Sequence, residues 1–208
     1  GSTAIDNGGC ILTEGGALHL NRVYVDRCES DDEGGGIFSE DGPVSMVRST
    51  ILLNNSEDGA AISVENAELS VVQTVIRRNV ASSAFGGVIL ISSEAVFDRA
   101  IIEDNESLVG GGIVALISQV EIKNSTIKNH SSYVGSGILS VASDWKISGT
   151  TFSENYAIDP ALGELVCDDG VDDDGDGVSD ELDEDCSFGN GAAIAELTYI
   201  SSYYCLLY

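Results

Sequence analysis

A repeat constrains this chain more than any other feature. Short Gly-rich stretches such as "GGCI", "GGGI", "GSGI" and "GAAI" precede a column made of Ile11, Ile37, Ile62, Val88, Ile113, Ile138 and Ile194. Its steps are 26, 25, 26, 25 and 25 residues, and then 56. A second column closes "VDRC", "ILLN", "IRRN", "IEDN", "IKNH" and "FSEN", at Cys28, Asn54, Asn79, Asn105, His130 and Asn155. Each of these lies 17 residues after the Ile or Val of its own unit. Two columns in phase across six units mark one structural unit per period, as in solenoids and propellers.

The residues inside each unit decide between those two. Stretches such as "STILLN" and "AIIEDN" are β-branched and bounded by Gly, Asn, Asp and Ser, as short strands and turns require. No segment sustains a helical period, and 24 Gly against 2 Pro suits many tight turns. At ~3.3 Å per strand residue, a unit of this length makes one rung of three short strands, whereas a propeller blade needs ~40–45 residues. The prediction is therefore an all-β parallel β-helix, a β-solenoid of about seven rungs. Stacking places three apolar columns inside the coil. They are the Ile column, then Leu20, Met46, Val71, Phe97, Ile122 and Ile147, then Val25, Ile51, Ile76, Ile102, Ile127 and Phe152. The Asn column is expected to form an amide ladder, with His130 as a ladder substitute rather than a catalytic base.

"GGGI" followed by "FSEN" or "IEDN" resembles the GGA[ILV] and FxxN repeats of the polymorphic outer-membrane proteins of chlamydiae, over about residues 8–157 and 190–208. The resemblance implies a right-handed coil, export, and service as an adhesin or surface scaffold rather than an enzyme.

The 56-residue step contains a normal rung and about 31 extra residues. Rungs one to six are thus expected in 1–157, an acidic insertion in 158–190 and the last rung in 191–208. The insertion holds "CDDGVDDDGDGVSDELDEDC", residues 167–186, in which 11 of 20 residues are carboxylates. Alternating acids at Asp172, Asp174 and Asp176, a turn at Gly177, the carbonyl of Val178, then Asp180 and Asp183 match a twelve-position calcium loop. Hard oxygen donors without thiolate or imidazole select Ca2+. The spacing is also similar to thrombospondin type-3 repeats and the dockerin loop, both calcium binding.

Five cysteines are present. Cys167 and Cys186 bracket the acidic loop, and an exported protein would join them. Cys10 and Cys28 share the first rung, though spacing alone leaves their pairing open, and Cys205 is left over. Glu14, Glu40 and Glu65 fall in one column, read as a solvated glutamate row. Later in that column come Ile91, Leu116 and Val141, beside Ile89, Val114 and Leu139. Strands apolar on both faces are covered on both, here by the insertion or by a partner.

A net charge of -26, with nine Lys and Arg against 35 Asp and Glu, argues against nucleic acid or anionic membrane as partner. No apolar run reaches the ~20 residues of a membrane span. The apolar "ELTYISSYYCLLY" at residues 196–208 suggests head-to-tail association into a polymer. The expectation is a secreted or cell-surface structural or adhesive protein, with a host or glycan ligand conceivable and no catalytic residues assigned. A carbohydrate-active β-helix enzyme and a monomeric glycan- or protein-binding module are the alternatives.

Overall fold

The computed structural model describes residues 3–83, 85–157 and 194–197. Among these residues every regular element is a strand and every strand pairing is parallel. The chain is a parallel β-solenoid of about six turns, and Ile194–Leu197 adds a seventh strand to one sheet.

That sheet, the isoleucine sheet, stacks Ile11–Glu14, Ile37–Glu40, Ile62–Glu65, Val88–Ile91, Ile113–Leu116, Ile138–Val141 and Ile194–Leu197. The second sheet stacks Leu18–Asn21, Val44–Val47, Glu68–Val72, Glu94–Asp98, Gln119–Lys123 and Asp144–Ser148. The third runs from Tyr24–Asp26 to Thr151–Ser153. A fourth, unexpected from the sequence, consists of two-residue strands such as Glu29–Ser30, Asn55–Ser56 and Val80–Ala81. Strands so short carry no alternation to read; the sequence predicts three strands per rung, and five of the six rungs have four, Glu106 making only isolated bridges in the fourth rung.

Register follows the repeat. Ile37, Ile62, Val88, Ile113 and Ile138 pair directly and are fully buried. Met46, Val71, Phe97 and Ile122 form the second buried column, and Ile51, Ile76, Ile102 and Ile127 the third. Each such side chain contributes up to ~1.5–3 kcal/mol on burial, so the interior columns dominate the stability of every rung.

Corners are built by one rule used three times per rung. A residue in the left-handed region turns the chain, and the next residue points inward and accepts a hydrogen bond from the preceding rung. At the corner between second and third sheets the turning residues are Arg22, Arg48, Gln73, Arg99, Asn124 and Gly149. The inward residues Ser49, Thr74, Ser125 and Thr150 follow, with Ala100 interrupting the ladder. Ser93, Ser118 and Ser143 do the same at the corner before the second sheet. At the corner after the third sheet stands the Asn ladder. There Asn79 Oδ1 accepts from the Asn54 backbone N–H at 3.1 Å and from its Nδ2 at 2.9 Å, and Asn105 repeats the pattern toward Asn79 at 3.0 and 2.9 Å. A buried N–H without a partner costs ~1–3 kcal/mol, and these ladders satisfy one donor per corner where strand pairing lapses.

The connection from the fourth sheet back to the isoleucine sheet behaves differently. Ile11 to Ser30, Ile37 to Ser56, Ile62 to Ala81, Val88 to Ser107, Ile113 to Ser132 and Ile138 to Ala157 are each 19 residues apart. All variation in rung length falls after those residues, in connections that step 6 or 7 residues to the next Ile or Val, and 37 residues from Ala157 to Ile194. These connections also correct one expectation. Ile89, Val114 and Leu139 are buried on the outward face of the isoleucine sheet. The cover comes from the connections themselves, since Gly59 lies against Ile89 and Gly110 against Val114 and Leu139. Gly34 shows why glycine stands there: its φ is 65°, and a Cβ would sit 2.5 Å from the carbonyl oxygen of Ile37.

Candidate functional site

The proposed calcium ligands Asp172, Asp174, Asp176, Val178, Asp180 and Asp183 lie outside the described residues, as do Cys167, Cys186, Cys205 and the apolar segment 198–208. Among the described residues, no group of three or more His, Cys, Asp or Glu is arranged to hold a metal ion. No helix in them is long and apolar enough to cross a membrane. Cys10 and Cys28 are joined by a disulfide.

His130 is fully buried in the Asn ladder. Its Nδ1 accepts from the Asn105 backbone N–H at 3.1 Å, and its Nε2 lies 3.1 Å from the carbonyl of Ile102. An acceptor at Nδ1 and a donor at Nε2 define the neutral tautomer that carries its proton on Nε2. The ring thus reproduces an asparagine, with Nδ1 in place of Oδ1 and Nε2–H in place of an amide N–H. Its own backbone N–H donates to Asn155 Oδ1 at 3.3 Å. Burial lowers its pKa from 6.5 to about 4, against the weaker pull of the Asn105 and Ile102 carbonyls and of Asp104. The imidazole serves the ladder and faces no solvent.

Glu14, Glu40 and Glu65 pair in register on one face of the isoleucine sheet. Burial pushes the Glu65 carboxyl up, and Glu40, Asp32 and Asp41 push it further. Glu33, on the adjoining connection, is also pushed up by burial, with the Ser63 hydroxyl donating to it at 2.6 Å and partly opposing the shift. Glu65, Asp32 and Asp58 add to the rise. This edge is strongly anionic because the cations are elsewhere. All nine Lys and Arg lie in the second and third sheets or at the corners bounding the third. Most are paired there, among them Arg77 and Lys128 with Glu103, Arg78 with Asp104 and Arg99 with Asp98.

The outer face of the second sheet carries an open groove of about 660 Å³ that runs across the rungs. Its floor is the outward column His19, Ser45, Ser70, Val96, Glu121 and Lys146, brought into line by strand register. His19 Nδ1 and Ser45 Oγ share a hydrogen bond of 2.6 Å at one end. Lys146 and Glu121 pair at 3.1 Å at the other. Along one rim stand Pro43, Glu68, Glu94, Gln119 and Asp144, the first residues of successive strands or the turn before them. From rung one to rung six, at ~4.8 Å per rung, the groove is about 24 Å long. The sequence did not reveal it, because the floor residues share no chemistry and meet only through the register. Comparisons with protein-family models, with curated proteins and with solved structures returned no match to this chain.

Proposed function

We propose that this is an extracellular structural or adhesive β-solenoid of a cell surface, stiffened by its repeated rungs and presenting side chains along their outer faces. The observation that carries the reading is the Cys10–Cys28 disulfide at the first rung of a rod otherwise held by stacked columns. Disulfides persist in oxidising compartments, and this one ties the first corner of the isoleucine sheet to the end of the third sheet within one rung. The groove on the second sheet favours a binding module as the second reading. Head-to-tail association into a filament belongs to the same reading, supported by the apolar composition of residues 196–208.

Ca2+ belongs to this reading through the insertion. The donor set of five aspartates and the Val178 carbonyl, without imidazole or thiolate, fits a hard divalent cation. Two measurements test the proposal. Protease treatment of intact producing cells is expected to remove the protein, and a protein found only after lysis would overturn the location. Elemental analysis of protein prepared without chelator is expected to show calcium, lost on conversion of Asp172, Asp174 and Asp176 to Asn. Calcium content unchanged by those substitutions would overturn the assignment.

A further inference from the structure

The groove rim and floor carry an unbalanced charge pattern. Glu68, Glu94 and Asp144 are exposed and in register, one rung apart and then two. Among the described residues none of the three carboxylates has an ion-pair or side-chain hydrogen-bond partner, whereas Glu121 is already paired with Lys146. The rim thus holds three unsatisfied anions spread over about 14 Å, at ~4.8 Å per rung. Between the ends of the floor lie Ser70 and Val96, small or apolar, with no charge of their own.

We propose that this groove binds an extended peptide segment of a partner protein bearing lysine or arginine, laid parallel to the solenoid axis. The proposal rests on the adhesive reading above and names the partner's chemistry. Charge complementarity selects a cation, since the rim is anionic and unpaired and the whole chain carries a net charge of -26. Length selects a polymer: a groove of about 24 Å matches about seven residues of extended chain. The floor selects long cationic side chains, whose methylene stems lie on Val96 while their heads reach the rim carboxylates. A neutral glycan would want an aromatic platform. Among the described lining residues the one Phe, Tyr or Trp is Trp145, and its indole N–H is committed to the Ser140 hydroxyl at 2.9 Å.

The test uses the full chain and a fluorescent peptide of about eight residues alternating Lys and Ala, read by anisotropy at low and at physiological salt. Glu68→Gln/Glu94→Gln/Asp144→Asn is expected to weaken binding about tenfold or more. Glu14→Gln/Glu40→Gln/Glu65→Gln removes the same charge from the isoleucine sheet and is expected to leave affinity within about twofold. Ser70→Arg, a single change in the floor, is expected to weaken binding as the groove triple does. Melting curves confirm that each variant is folded. Equal weakening by the two triples would mean general attraction to an acidic surface and would overturn the proposal. So would the absence of peptide binding, or its displacement by neutral oligosaccharides. A protein exposed on intact cells that fails to bind the peptide would sink this inference and leave the proposed function standing.

Discussion

At position 130 the chain needs an acceptor aimed at the backbone N–H of Asn105 and a donor aimed at the carbonyl of Ile102, and neutral histidine supplies both. The cost appears in acid. A folded-state pKa near 4 against an ordinary 6.5 means that the unfolded chain takes up the proton first. The stability contributed by the neutral ring is therefore complete above pH 6.5 and is lost as pH falls toward 4, at most ~3 kcal/mol in all. Glu33 and Glu65 act with the opposite sign. Their raised pKa values make them most favourable below 4.5, with that contribution lost as pH rises through their folded values. His130→Asn restores the ladder residue used in the other rungs. It is expected to melt within a few degrees of the parent at pH 7 and to lose less stability between pH 6.5 and 4. Parallel pH profiles for the two proteins would contradict this account.

The ladders are the elements that make a corner affordable to a buried backbone. Asn79→Ala removes the acceptor of two donors on Asn54 and leaves the backbone N–H inside the coil without a partner. A loss of about 2–4 kcal/mol is expected, read as a lower urea midpoint with unchanged slope. A loss below about 0.5 kcal/mol would show that water replaces the amide. The same elements explain what could be read from sequence. Ile and Asn columns were legible because large or amide side chains recur at one phase. The Ser/Thr ladders at Ser49, Thr74, Ser93 and Ser118 have the same geometry but leave no distinct signal in the sequence, since serine is common in any loop and Ala100 breaks the series. The left-handed corner positions hold Arg, Gln, Asn, Asp, Ser, Leu and even Ile117, so only their backbone identifies them. The disulfide needed the fold to bring Cys10 and Cys28 within 5.4 Å between Cα atoms. The groove needed register, because its floor mixes His, Ser, Val, Glu and Lys.

As a whole the molecule is close to one-dimensional: each interior rung touches two others, and stability adds rung by rung. In and just before the first rung, Leu12 and Ile5 are 50 % and 90 % exposed. Reducing Cys10–Cys28 frees a constraint of ~3 kcal/mol on that rung alone. Hydrogen exchange after reduction is expected to speed up in residues 3–30 while Val64, Leu90 and Ala115 keep their protection. Uniform loss across all rungs would mean that the solenoid unfolds as one unit. The fixed 19-residue spans and variable connections have a further consequence. What sets the pitch is separated along the chain from what can grow, like the rails of a shelf from the objects on it. Segments of any size can enter at one edge, every ~4.8 Å along the axis, without shifting a single core residue out of phase.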